Sequence, residues 1–246
     1  DHGTRFLERE PPLDPNQVST NHGDAGTTAL TLMAMERLQV KPGKTICIMG
    51  ASGVIGSALA RTVGRLFSPH KIVLVGRKQT DLLRISMEIE GSAPVIVVDT
   101  NYETAANTHD ADVVLVATSG LQYDPENFPY ECLILDICTP AACDPGKAWG
   151  GRVVLAAGCG ILPEAFLPNG LATMNGKRLD DVGAGGKNHT KNTLWGCTCE
   201  CIAQASFRVR EHVVGPITEK QVLRARHWFE QLGIEPQRPV LGVREW

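Results

Sequence analysis

Three glycines spaced three apart break an apolar run at Ile46–Gly56, and they constrain the fold of this chain more than any other feature. Ile46-Cys47-Ile48-Met49 reads as a strand. Gly50-Ala51-Ser52-Gly53-Val54-Ile55-Gly56 reads as a tight turn, and Ser57-Ala58-Leu59-Ala60-Arg61-Thr62-Val63 as a helix start. Glycine takes turn dihedrals closed to other residues, and its bare Cα lets backbone approach a phosphate. The helix N-terminus adds free N–H groups for an anion. In this order the elements imply a dinucleotide pyrophosphate site, with an ordinary glycine-rich loop as the plain alternative. All seven turn residues, Gly50 to Gly56, are candidate cofactor contacts.

The second strand, Lys71-Ile72-Val73-Leu74-Val75, ends in Gly76-Arg77-Lys78. Its tip belongs beside the adenine ribose, about 20 residues past the glycines. An acidic residue there would bond the ribose 2′-hydroxyl and select NAD. Arg77 and Lys78 stand there instead, and a guanidinium fork with a neighbouring ammonium suits a 2′-phosphate. The expected cofactor is therefore NADPH; the alternative is a solvated basic turn.

Four more apolar runs of strand length follow: Pro94–Val98, Asp112–Ala117, Cys132–Asp136 and Val153–Ala157. Near-continuous apolar runs suit strands buried on both faces of a parallel sheet. The expected class is α/β, a doubly wound parallel sheet of about six strands with C-terminal helices. Ligands in that architecture sit beyond the carboxyl ends of the strands. Thr118, Ser119, Gly158 and Gly160, with Asp136–Pro140, therefore join the candidate cofactor-binding residues. Helices are expected at Thr27–Leu38, Asp81–Glu90 and Lys191–His212. A further one is capped by Thr218 and Gln221 and stopped at Gly233. Residues 1–25 read as a polar segment, 26–178 as the dinucleotide-binding domain with its preceding helix. Residues 179–246 read as a mobile loop and C-terminal helices.

A net charge of −3 argues against a nucleic-acid surface. The apolar runs fall far short of the roughly 20 residues that span a bilayer. No signal peptide is visible, and the eight cysteines sit mostly in strand or helix contexts, so the expected compartment is a reducing cytoplasm.

No tyrosine among Tyr102, Tyr123 and Tyr130 has a lysine four residues on, which removes the Tyr-x-x-x-Lys proton relay of short-chain dehydrogenases. The segment Trp195-Gly196-Cys197-Thr198-Cys199-Glu200-Cys201-Ile202 allows three readings. Alternating cysteines on one helix converge poorly on a metal, and none is expected there. Core packing is a second reading. The third is a nucleophile: Cys197 near a helix N-terminus, with Lys187, His189 and Lys191 supplying positive charge. Cys199 and Cys201 would then be packing residues.

Several segments together resemble the cyanobacterial long-chain acyl-(acyl-carrier-protein) reductases, which form fatty aldehydes. They are Gly26-Thr27-Thr28-Ala29, the glycine turn through Ala58, Gly160-Ile161, Gly196-Cys197-Thr198-Cys199-Glu200 and Gly215-Pro216-Ile217-Thr218-Glu219-Lys220. The resemblance runs from about residue 20 to the end. It implies NADPH as cofactor and Cys197 as the cysteine that carries the acyl group. The substrate would be an acyl thioester on acyl-carrier protein or coenzyme A. It also implies an N-terminal acyl-binding region, of which only some 25 residues are present, so a missing domain or partner chain is expected to complete the site. Gly158-Cys159 departs from the family's Asn-Gly pair, and the loop 176–190 is not similar. The order of elements also resembles the Rossmann architecture of shikimate dehydrogenases, with Asn21-His22-Gly23-Asp24 before the first helix. Two rivals remain: an NADP-dependent alcohol or amino-acid dehydrogenase without covalent catalysis, and a non-catalytic NADP-binding module that needs a partner.

Overall fold

The computed structural model describes residues 21–144, 146–163, 173–174, 177–178, 193–211 and 213–237. Two compact units emerge from it. Among the described residues, one holds Met35–Ala157; the other joins residues 21–34 with those from Gly158 to Gln237. Helix α1 (Asp24–Arg37) begins three residues earlier than its apolar pattern indicates. Its buried Thr28 and Thr31 turn their hydroxyls back onto the carbonyls of Asp24 and Thr27, at 2.7 and 2.9 Å. Their polarity is satisfied within the helix itself.

The Met35–Ala157 unit is built on β1 (Thr45–Met49), α2 (Val54–Phe67), β2 (Lys71–Val75), α3 (Gln79–Glu88), β3 (Val95–Asp99), α4 (Ala105–Thr108), β4 (Val113–Val116), β5 (Leu133–Asp136) and β6 (Val153–Ala156). The six strands form one sheet in the order β3-β2-β1-β4-β5-β6, and every pairing is parallel. This is the doubly wound order of the Rossmann fold. All residues of β1, β4 and β5 are buried, whereas the edge strands β3 and β6 are partly open.

The second half of the sheet is helix-poor. α4 is a single turn, and a 3-10 turn at Pro125–Asn127 stands between β4 and β5. No helix lies between β5 and β6 among the described residues. Aromatic packing covers that face instead. Tyr123, Phe128 and Trp149 form a chain of ring contacts with centroids 5.6 and 5.9 Å apart, over Cys47, Val73, Val114 and Ile134. Burying three rings removes enough apolar surface to stand in for a crossover helix.

In the other unit the chain turns at Gly158 (φ 75°) and enters β7 (Cys159–Ile161). Gly158–Gly160 is thus a turn and the start of a second sheet, not a loop beyond β6. Two-residue strands β8 (Thr173–Met174) and β9 (Lys177–Arg178) pair antiparallel. β7 lies between β10 (Thr193–Trp195) and β11 (Glu235–Pro236), antiparallel to both.

The single helix expected from Lys191 to His212 is corrected to β10 followed by α5 (Gly196–Ser206). Backbone pairing of Trp195 with Cys159 holds residues 193–195 extended, and tertiary pairing overrides the helical pattern. α6 (Glu219–Leu232) carries the anticipated caps. The Gln221 amide donates to Thr218 Oγ1 at 3.3 Å, the Thr218 amide donates to Gln221 Oε1 at 2.9 Å, and Gly233 closes the helix at φ 67°. No described helix is long and apolar enough to cross a membrane.

Candidate functional site

The glycine turn joins β1 to α2. Gly50 adopts φ 85°, and a Cβ there would collide with the carbonyl oxygen of Ala117. At Gly56 a Cβ would collide with the carbonyl oxygen of Gly50. Both glycines are therefore required by packing. Gly53 differs: it is exposed, with φ −76° and ψ 170°, and a Cβ would meet only Gly50 O at 3.2 Å. Gly53 is also the N-cap of α2, with no capping side chain, and the first turn holds no acidic residue. The N–H groups of that turn are left for an anion. Packing does not explain Gly53, but close approach of a phosphate does, so the turn fits a dinucleotide pyrophosphate.

Ala51 N and Gly50 N both donate to Val75 O at 2.9 Å, which ties the turn to the end of β2. A Cβ at Gly76 would lie 3.1 Å from Ser52 Oγ, so the turn and the tip of β2 touch. Arg77 and Lys78 follow directly and are exposed. The Tyr102 hydroxyl bonds the Arg77 backbone, and burial pushes the Tyr102 phenol above its ordinary value.

An open groove of about 750 Å³ runs between the segments after β3 and β4, lined by Asn101, Tyr102, Leu121 and Tyr123 among others. Nothing in the sequence pattern singles it out, because its walls come from two separate loops. Thr118 is half-buried and Ser119 exposed. The Thr118 carbonyl accepts from Cys138 Sγ at 2.8 Å, and Tyr123 OH lies 3.5 Å from Thr118 Oγ1. Asp136 ends β5 and accepts the amides of Cys138 at 3.0 Å and Cys143 at 2.8 Å. Burial nonetheless raises the Asp136 carboxyl above its usual range, and burial pushes the Cys138 thiol up to about 12.

In the other unit, Cys197 is the second residue of α5 and is partly accessible. The Gly196 amide donates to Gly158 O at 2.8 Å, so the cysteine sits beside Gly158–Gly160 within this unit. That amide is thereby taken, which leaves the next N–H groups of the α5 first turn without a partner among the described residues of the preceding chain. Gly160 faces the interior: a Cβ there would meet Cys199 Sγ at 2.9 Å and Leu30 and Ile234 at 3.0 Å. Core packing accounts for that glycine without a cofactor.

Cys199 is buried as expected. Cys201 is exposed, which corrects its expected packing role: the fold leaves that side of α5 open to solvent. Burial, then the neighbouring Cys197, pushes the Cys159 thiol up to about 12. Lys187, His189 and Lys191, the expected source of positive charge, lie outside the described residues, as does most of the segment 1–25.

The start of α1 packs directly on the start of α5. Gly23 (φ 73°) lies against the Cα and Cβ of Cys197, where any side chain would overlap. A Cβ at Gly26 would lie 2.5 Å from Gly196 O. Glu200 is buried at this junction; it accepts the Gly26 amide at 2.5 Å and Asn21 Nδ2 at 2.9 Å. Burial raises its carboxyl above the ordinary value, against the donors that lower it. Asn21 and Glu200 escape detection in the sequence because they stand 179 positions apart in segments of ordinary composition; only the small-residue spacing Gly23, Gly26 and Gly196 hints at a close crossing.

The chain matches no protein family and no curated protein sequence. Over part of its length it is similar to many solved structures, three of them as follows. The first is quinate dehydrogenase from Corynebacterium glutamicum in complex with NAD, at 15% identity over 47% of this chain and 44% of that one, TM-score 0.39. The second is 5-ketofructose reductase of a Gluconobacter strain, at 15% identity over 54% and 51%, TM-score 0.41. The third is the quinone oxidoreductase from Thermus thermophilus, at 14% identity over 58% and 46%, TM-score 0.40. The chain thus spans about half the length of the solved proteins it matches. The fold assignment rests on the strand order itself.

Proposed function

We propose that this chain is an NADPH-dependent oxidoreductase that reduces an acyl thioester, on acyl-carrier protein or coenzyme A, to an aldehyde through Cys197. The observation that carries this is the place of Cys197: partly accessible, in the first turn of α5, where N–H groups without helical partners would hold an oxyanion. The cofactor part rests on the open face at Gly53 and the basic pair Arg77 and Lys78 at the tip of β2. Gly50 to Gly56 would hold the pyrophosphate, and Arg77 with Lys78 the 2′-phosphate.

In the first half-reaction Cys197 Sγ bonds to the acyl carbon while the bond from that carbon to the carrier sulfur breaks. The proton of the Cys197 thiol ends on the departing carrier thiol. Bound NADPH supplies a hydride for reduction of the acyl carbon, after which Cys197 leaves as thiolate and aldehyde is released. The N–H groups of Cys197 and Thr198 would hold the carbonyl oxygen as it gains charge. A further domain or partner chain is part of this proposal, since a lipid chain needs a concave apolar lining.

The test is intact mass after incubation with palmitoyl-coenzyme A in the absence of NADPH. One acyl group on Cys197 is expected, lost again when NADPH is added. A protein that oxidises alcohols or amino acids with NADP yet never acquires the acyl group would leave the plain dehydrogenase reading in its place.

A further inference from the structure

We propose that Glu200 is a positioning residue for Cys197: its buried carboxylate ties the first turns of α1 and α5 together and so sets where the thiol points. The inference rests on the acyl-enzyme reading for its kinetic consequence, but not for its geometry. Glu200 lies three residues after Cys197 on α5, with 2% of its surface exposed. Its two oxygens are held separately, Oε2 by the Gly26 amide of α1 at 2.5 Å and Oε1 by Asn21 Nδ2 at 2.9 Å. Asn21 is itself fixed at both ends. Its Oδ1 accepts the Gly23 amide at 2.6 Å, and its Nδ2 also donates to Gln204 Oε1 at 3.0 Å, one turn further along α5.

Cys197 is pressed against Gly23, so the residue behind the thiol and the residue that anchors Glu200 are two positions apart in one strap. A carboxylate buried in this way costs free energy unless its donors are aligned. Apolar side chains would fill the same space, but they would let α5 rotate or slide. Two directional bonds to different parts of the α1 segment remove that freedom. A carboxylate at the N-terminus of α1 also suits the helix dipole. The groups facing Glu200 are His22 and Asp24 from the α1 segment and Cys201 on its own helix. Cys201 is exposed, and because the Glu200 charge also acts on its thiol it is replaced by alanine in the labelling comparison.

The experiment compares the full chain with its Glu200→Gln variant, which keeps the shape but turns an NH2 group toward one of the two donors. Acylation by palmitoyl-coenzyme A is followed by mass as a function of concentration. The maximal acylation rate of Cys197 is expected to fall about 10- to 100-fold, the range for a misplacement near 1 Å. The half-saturating concentration should stay within about twofold, and NADPH should bind with unchanged affinity and an unchanged number of sites per chain, whereas simple loss of folded protein would lower that number. In parallel, with Cys201→Ala in both proteins, the ratio of Cys197 labelling by iodoacetamide between the Glu200→Gln variant and its parent should depart several-fold from one. Wild-type acylation by Glu200→Gln would overturn the proposal. If the unaltered chain takes up no acyl group, the acyl-enzyme reading fails, and the labelling ratio decides alone: a ratio of one overturns the role of Glu200. Should Glu200→Gln fail to fold, Asn21→Ala, which removes one anchor and leaves the Gly26 bond, is measured against the same criteria.

Discussion

Gly53→Ala separates the two reasons a glycine can be needed in the turn. At φ −76° and ψ 170° alanine is unstrained, and its Cβ would meet one atom, Gly50 O, at 3.2 Å. Losing glycine at an N-cap costs a few tenths to about 1 kcal/mol. Stiffening the unfolded chain returns about 0.4–1 kcal/mol. The net change in stability should lie within about 1 kcal/mol of zero. The methyl group would nonetheless project onto the face that a pyrophosphate approaches. NADPH affinity should drop at least about tenfold, or about 1.4 kcal/mol.

Gly56→Ala is the counter-experiment, because its Cβ would collide with Gly50 O inside the fold. It should cost about 1–3 kcal/mol of stability. Urea unfolding measures the first quantity and fluorescence titration with NADPH the second. A Gly53→Ala protein that binds NADPH like the parent would refute the cofactor reading of the turn. One as unstable as Gly56→Ala would refute the packing argument.

Arg77→Ala should lose about 1.5–3 kcal/mol of NADPH binding and leave NADH binding unchanged, since the guanidinium would meet only the 2′-phosphate; paired titrations check this. Cys197→Ser should form no acyl adduct and no aldehyde, whereas Cys201→Ala should keep both, as mass analysis and turnover will show; equal loss in the two variants would contradict the assignment. Gly23→Ala, with a positive φ and a side chain forced into Cys197, should destabilise by about 2 kcal/mol or more in urea. Asp136 has its carboxyl raised above the reference of 3.8 by burial. The folded state therefore binds the extra proton, and the stabilisation from that group is complete below about pH 3.8 and lost as pH rises through its folded value. The urea midpoint of the parent minus that of Asp136→Asn should fall over that window, and a difference independent of pH would disprove the shift.

Much of the architecture was legible because it depends on local pattern. Runs such as Val113–Val116 and Leu133–Asp136 are continuous and apolar, as strands covered on both faces must be. Glycines at 50, 53 and 56 announce a turn, at two positions of which, 50 and 56, a side chain would collide with backbone. The caps of α6 were readable from Thr218, Gln221 and Gly233, since their bonds close within a few residues.

Long-range pairing decided what remained. Residues 193–195 have no strand signal of their own and are extended because Cys159 and Gly160 pair with them across more than thirty positions. Cys199 and Cys201 have the same chemistry, and only the packing of α5 buries one and exposes the other. Glu200 looks like a surface acid in the sequence. It becomes an internal anchor because the fold brings Asn21 and the Gly26 amide to it, and a buried carboxylate is tolerable only where donors from elsewhere converge. The sequence by itself thus determined the sheet and its glycine turn, whose physics is local. Which side chains surround Cys197 was decided by the tertiary structure, because hydrogen bonds between distant segments exist only once the chain has closed on itself.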